Sequence, residues 1–493
     1  MASRFHRRGL RSTLLLLALL CLQCVAASAA NLAFTVSASE PVVVTGVPRI
    51  AIDVGGITRY ATYAAGSGTS TLTFSYAVQA GDFDADGITL ASPIDLNGGT
   101  LADLAGNPVS NLTFTLPDTS ALKVQTYTAS FTTSPITNAN ASAVSFAIAK
   151  APTGASFSYT ITSSGGSGSV TGSGTIGGNP HTVSGVDVSA LPTGTLTLSV
   201  TVSTAAGGTG AAHTTSATPS FAGVLDSLSA AAAFSVRRLR SGHTGALIRV
   251  RRSTDNAMQD IGTTVGGNLN TAALSSFCGA ATCFASTWYD QSGNGQNAVQ
   301  AGTTNQPRLM SSGVMEIEGS RPALRFTAVA QWLNAGVIPG QSLDGTFNVV
   351  ARCTEGSVTR HVMGNRDIGI QRGRIIRAMP GGGSFFGANI GGAQVGFTGA
   401  TTVQRVITVL SSSSSSPTMS AALDGVVTTG NTNSYYAAPT VGLWLGGGGS
   451  GQSSVGDWIG TISEAMVFNS TLTTTARQTL ERDQGSYYGV SVQ

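Results

Sequence analysis

Leu72-Thr73-Phe74-Ser75-Tyr76-Ala77-Val78 carries a large apolar side chain at every second position, and Leu196-Thr197-Leu198-Ser199-Val200-Thr201-Val202 repeats the pattern. Successive side chains of a β-strand point to opposite faces, whereas a helix needs apolar residues three or four apart. Each stretch therefore forms a strand with one buried face. Pro41-Val42-Val43-Val44, Ile50-Ala51-Ile52 and Ser142-Ala143-Val144-Ser145-Phe146-Ala147-Ile148 add further strand-like runs. Between them lie turn formers such as Gly81-Asp82, Asn97-Gly98-Gly99 and Ala105-Gly106-Asn107-Pro108. With 63 Gly, the 10% of charged residues falls far below the globular average of about 25%. The 41% hydrophobic content is nevertheless too high for a disordered chain. These features together specify an all-β protein.

The first thirty residues read as an export signal. Arg4, Arg7, Arg8 and Arg11 precede an apolar core beginning at Leu14, and Ala27-Ser28-Ala29 offers small residues for cleavage. The apolar run is too short to span a bilayer, and no later segment is long enough. Cys24 follows Leu22-Gln23, a poor fit to a lipid-attachment motif, so a secreted or cell-surface product is expected. The four leader arginines exceed the formal charge of +3, which leaves the remainder slightly acidic. That balance argues against nucleic acid or anionic membrane as a partner. Beyond the leader remain Cys278, Cys283 and Cys353. In an oxidising compartment the C-x4-C pair can close a small loop, leaving Cys353 odd. No zinc-like grouping of Cys and His is present.

Three segments follow the leader. Residues 31–120 hold Tyr60-Ala61-Thr62-Tyr63, Gly81-Asp82-Phe83-Asp84-Ala85-Asp86-Gly87 and Leu101-Ala102-Asp103-Leu104-Ala105-Gly106-Asn107, a series that resembles the immunoglobulin-like modules of bacterial surface proteins. Residues 121–222 read as a second immunoglobulin-like sandwich, with Ala205 to Pro219 as a Gly/Thr/Ala/Ser-rich linker. Residues 223–493 contain all four Trp. Ser411 to Ser416 reads there as a solvated loop, and Thr473 to Gln484 as the one plausible amphipathic helix.

The densest motif signal lies between Phe234 and Gln300. Arg237-Arg238-Leu239-Arg240-Ser241 and Ile248-Arg249-Val250-Arg251-Arg252 precede Phe277-Cys278-Gly279-Ala280-Ala281-Thr282-Cys283, and Tyr289-Asp290-Gln291-Ser292-Gly293-Asn294-Gly295 follows. This order resembles the opening of the α-L-arabinofuranosidase B catalytic domain. The resemblance implies a concanavalin- or laminin-G-like jelly-roll sandwich over 223–493 and a Cys278–Cys283 disulfide. It also implies release of terminal arabinofuranosyl groups from arabinan or arabinoxylan, without an organic cofactor.

From residue chemistry alone, Tyr289–Gly295 is either a self-bonded corner or a cleft rim where Tyr289, Asp290, Gln291 and Asn294 meet sugar hydroxyls. In the arginine run, Arg249 and Arg251 alternate with Ile248 and Val250, which predicts a solvated strand face, while the functional reading is a grip on an acidic glycan. Trp444 and Trp458 are the candidate sugar-stacking rings.

Glycoside hydrolysis needs two carboxyl groups flanking the scissile bond. The resembled family carries its nucleophile in a D-M-E-N-N run and its acid/base in L-G-I-G-G-D-N. Ile375-Ile376-Arg377-Ala378-Met379-Pro380-Gly381-Gly382 and Leu443-Trp444-Leu445-Gly446-Gly447-Gly448-Gly449 are the matching stretches, with Pro380 and Gly448 at the two positions. Asp367, Asp457 and Glu464 are the nearest substitutes. Non-catalytic glycan binding or adhesion is therefore the alternative to hydrolysis, and a structural surface spacer is the third class. Asp82, Asp84 and Asp86 follow the D-x-D-x-D-G order of a Ca²⁺ loop, but Pro93 stands where a bidentate Glu would close it, so the loop reads as a surface turn or a structural Ca²⁺ site.

Overall fold

The computed structural model describes residues 14–15, 31–342, 344–355, 358–365, 373–379, 385–390, 393–397, 402–413, 418–431, 441–447 and 457–493. Asp367, Pro380 and Gly448 lie outside them. The alternation dictates strands as expected. In Thr69–Ala77, Leu72, Phe74 and Tyr76 are buried, and in Leu196–Thr204, Leu198, Val200 and Val202 face the core. Each such side chain removed from water contributes about 2 kcal/mol, which holds the register, because a slip by one residue would expose every apolar side chain of the strand.

In the first segment the long strand Asn31–Thr45 changes partner midway. Its first half pairs with Thr69–Ala77, its end pairs with Thr100–Asp103, and the register breaks between Ser37 and Val42. Pro41, with no N–H to donate, sits in that break. The hairpin Arg49–Val54/Ile57–Ala65 turns through Gly55-Gly56, both at positive φ. A Cβ on Gly55 would stand 2.1 Å from the Phe83 carbonyl oxygen, so only glycine fits this turn.

The second segment has sheets Thr128–Phe131/Val144–Ala149/His181–Val186 and Ser169–Thr175/Ser156–Ser163/Leu196–Thr204. His213–Ala217 adds a strand beside Leu196–Val200, so part of the expected linker is sheet. Its residues are small and half polar, and their alternation is too faint to register as a strand in sequence. The segments also share cores. Phe83 and Val265 both enter the apolar cluster of the second segment. Val265 N–H donates to the Leu191 carbonyl, and Thr193 Oγ1 bonds Thr263 Oγ1 and the Thr264 carbonyl.

The described strands between Ala232 and Phe468 form a further β body whose ladder path returns on itself. Gly345–Cys353 is its central strand, flanked by Arg405–Ser412 and Gly460–Phe468. Phe234, Trp288, Phe347 and Trp458 fill the core. Ser411 and Ser412 belong to a strand, and buried Ser411 accepts from the Arg374 guanidinium, so the start of the serine run is not loop. Helix α1 (Thr271–Cys278) is capped by Asn270 and ends at the disulfide; helix α2 (Thr474–Tyr488) is capped by Thr473. Helix α1 leaves no helical signature in the sequence, because its short run Thr271-Ala272-Ala273-Leu274-Ser275-Ser276 has almost no apolar periodicity. No helix among the described residues is long and apolar enough to cross a membrane.

Candidate functional site

Residues opposite one another in neighbouring strands share a sheet face. Asp260 faces Arg249, Arg249 faces Thr287, Thr287 faces Val299, Val299 faces Asn334, Asn334 faces Trp444, and Trp444 faces Gly364. Their chain neighbours Ile248, Trp288, Ala298, Leu333, Leu445 and Met363 are all fully buried. The row from Arg249 to Trp444 is thus the outward face of the sheet whose inner face is core. Trp444 is half-buried and packs at a tilt against half-buried Trp332, ring centroids 4.3 Å and planes 51° apart. Trp332 was the missed partner. Its sequence signal is the alternation Trp332-Leu333-Asn334, in which only the middle residue is buried. Trp458 is corrected as a stacking ring: it is fully buried, its Nε1 donates to the Thr461 carbonyl, and no face is open to a sugar.

Asp457 stands beside this pair. Its Oδ2 accepts from Ala330 N–H at 2.8 Å, and a Cβ on Gly447 would lie 3.4 Å from its Oδ1 and 3.8 Å from the Trp444 ring. Burial raises its carboxyl above the ordinary value, against the lowering pull of the Ala330 N–H and the Arg360 charge. An upward shift is the direction a general acid needs.

Glu464 has no such freedom. It is fully buried, ion-paired with Arg237 at 2.9 Å, and its oxygens also accept from Ser235 Oγ, Tyr488 Oη and Gln484 Nε2. With every lone pair engaged away from solvent it is a structural ion, which corrects its candidacy as a catalytic carboxylate.

The Tyr289–Gly295 corner divides. Asp290 Oδ1 accepts from the N–H groups of Ala233 and Ser292, and Oδ2 from Ser292 Oγ and Gln296 N–H. Gln291 is buried, accepting from Leu239 N–H and donating to the Arg237 carbonyl. Both face the chain's own backbone. Tyr289 is half-buried at the end of the outward row, where Oη donates to Asp260; burial first, then Asp260, pushes its phenol up to about 12. Asn294 is exposed and donates to the Ala230 and Ala231 carbonyls. Together with Ser292 and Arg240 it lines a polar cleft of about 900 Å³.

Among the arginines, Arg249 lies outward, but Arg251 is buried on Gln306 and Phe284. It keeps the face of Arg249, in register opposite Met258 and Phe284, and is buried because Gln306 and the Thr303 carbonyl cover that end of the face.

Cys278 and Cys283 are bridged, joining the end of α1 to the strand Cys283–Trp288, and Cys353 is a buried free thiol. Asp82 is ion-paired with Arg59 and hydrogen-bonded to Tyr76 and Gln79 N–H, while Asp84 accepts from Gly55 and Gly87 N–H. Among the described residues no three His, Cys, Asp or Glu side chains converge as a metal site.

The C-terminal body is therefore a disulfide-clipped, sandwich-like β domain with tryptophans on an outward sheet face. Residues 226–323 match the family model described as "Alpha-L-arabinofuranosidase B, catalytic", so this region carries that family's segment. It includes the disulfide and the Tyr289–Gly295 corner and ends before Trp332. A probable α-L-arabinofuranosidase B of Aspergillus terreus is 43% identical over 72 residues, 14% of this chain and 14% of that protein. An α-L-arabinofuranosidase of Hypocrea jecorina is 41% identical over 71 residues, again 14% of each. The chain thus spans about a seventh of the length of the curated relatives it matches. The crystal structure of an arabinofuranosidase complexed with arabinofuranosyl-α-1,2-xylobiose aligns at 17% identity and TM-score 0.41, covering 52% of this chain and 62% of that one.

Proposed function

We propose that this chain is an exported, arabinofuranosidase-B-like carbohydrate-active protein that holds an arabinose-containing polysaccharide on its Trp332–Trp444 face, with hydrolysis lost or residual. The observation that carries the reading is the half-buried tryptophan pair, 4.3 Å between centroids, on the outward face beside Asn334. Indole faces take the C–H side of a sugar ring, and an amide takes its hydroxyls. The Arg-rich start followed by Leu14–Leu20 and Ala27-Ser28-Ala29 supports export. Pro380 and Gly448 at the matched positions bring no carboxyl group, and Glu464 is locked to Arg237. The first two segments then act as a spacer carrying this face.

Hydrolysis is the second reading, and Asp457 favours it: a carboxyl raised by burial next to Trp444. The test uses the full chain with Trp444→Ala and Asp457→Asn. Retention on immobilised arabinan or arabinoxylan that Trp444→Ala abolishes, without turnover of an aryl α-L-arabinofuranoside, supports binding. Turnover abolished by Asp457→Asn overturns it in favour of hydrolysis. Neither retention nor turnover leaves the spacer role alone.

A further inference from the structure

The arginine run between Arg237 and Arg252 divides sharply once each guanidinium is placed. Arg237 pairs with Glu464, Arg249 with Asp260 and Arg252 with Asp255. Arg251 is buried on Gln306, and Arg238 donates to the Arg240 and Ser241 carbonyls while lying over Phe221. Arg240 is what remains. It is half-exposed, and among the described residues no carboxylate lies within ion-pair distance of it.

Its guanidinium is held, not loose. Nη1 donates to the Ser292 carbonyl, and a Cβ on Gly293 would stand 2.3 Å from that nitrogen. The flat group therefore rests on a bare Cα in the middle of the Tyr289–Gly295 corner. The polar cleft of about 900 Å³ opens beside it, large enough for a short oligosaccharide. Ser229, Ser470 and Asn469 line its walls. Asn294 commits its Nδ2 to the Ala230 and Ala231 carbonyls, and its Oδ1 has no donor among the described residues, leaving an acceptor for a hydroxyl. Asp226, the cleft's acid, is turned onto Gly223 and Ser241.

We propose that this cleft is a second glycan subsite, separate from the Trp332–Trp444 face, in which Arg240 takes the carboxylate of a uronic-acid residue in an acidic polysaccharide. With Nη1 on the Ser292 carbonyl, the Nε and Nη2 donors remain without a carboxylate and match a carboxylate's two oxygens, and the hydroxyl and amide walls suit the rest of the sugar. The ligand class rests on the carbohydrate reading above, whereas the site itself rests on the placement of Arg240.

The experiment titrates the full chain with oligogalacturonate and, separately, with the same oligomer methyl-esterified. The acid form should bind, with affinity falling as salt rises, and the ester about tenfold or more weaker, the size expected when one charge-assisted hydrogen-bond partner is neutralised. Arg240→Gln should weaken the acid form to the ester's level while leaving arabinan retention unchanged. Trp444→Ala should do the reverse, so failure of this site and failure of the tryptophan face are distinguishable. Because Arg240 also braces Ser292, the ester comparison on the unsubstituted chain decides if Arg240→Gln fails to fold. Equal binding of acid and ester, or no binding of the acid form, overturns the proposal.

Discussion

Replacing Asp290 by Ala separates a structural corner from a sugar-contacting one. The Asp290 side chain accepts from three backbone N–H groups, those of Ala233, Ser292 and Gln296, each at 2.9 Å, and from Ser292 Oγ at 2.7 Å. Ala233 is fully buried, so its N–H would be stranded, at a cost of about 1–3 kcal/mol. Ser292 and Gln296 are half-exposed, and water can replace part of what they lose. The expected total is about 3–5 kcal/mol for Asp290→Ala, and about 2–3 kcal/mol for Asp290→Asn, whose amide turns a donor toward an N–H. All four Trp lie in 223–493, so tryptophan fluorescence during urea unfolding of the full chain follows this body selectively. A variant within about 0.5 kcal/mol of wild type that had lost polysaccharide retention would refute the structural reading and make Asp290 a ligand contact.

Val265→Ala should destabilise the second segment by about 1–2.5 kcal/mol through lost burial and a small cavity, read as faster amide exchange in Leu196–Val202; unchanged exchange would mean the segments are independent. Because burial raises the Asp457 carboxyl, the folded state holds its proton more tightly than the unfolded chain. That contribution is complete below the ordinary carboxyl pKa and is lost as pH rises through the raised folded value, so wild type should lose stability across that window and Asp457→Asn should not; parallel pH–stability curves would count against it. Cys353 is buried with its thiol raised first by burial, so a thiol reagent should label it only after unfolding, and labelling of the native chain would contradict the fold. With Asp82 engaged by Arg59 and Tyr76, millimolar Ca²⁺ should leave the melting temperature unchanged, and an upward shift would reveal a site.

Strand alternation made the all-β class legible at Leu72–Val78 and Leu196–Val202, because period two is a local property of the backbone. The Cys278–Cys283 pairing was legible for a related reason: the partners are five residues apart, and a short motif carries them. Where local rules competed with long-range contacts, the reading failed. Arg251 keeps the alternation, in register opposite Met258 and Phe284, yet Gln306 and the Thr303 carbonyl, more than fifty residues on in the chain, cover it and bury it. Strand His213–Ala217 was lost in a small-residue stretch, since its place is set by pairing with Leu196–Val200 and not by its own propensity.

The candidate site shows the same division more sharply. Sequence by itself determined which residue types were on hand: four Trp, a corner rich in turn formers, an arginine run, and no carboxyl group at Pro380 or Gly448. Only the tertiary structure decided which of them face outward. Trp444 and Trp458 are equivalent in sequence, but one lies opposite Asn334 on the outward face and the other is fully buried. Glu464 and Asp457 are both acids near Trp458; one is locked under Arg237, contributed from 227 residues away, and the other stands beside Trp444. The physical reason is that exposure and ion pairing are sums over neighbours distant in the chain, whereas propensity and period are sums over neighbours within it.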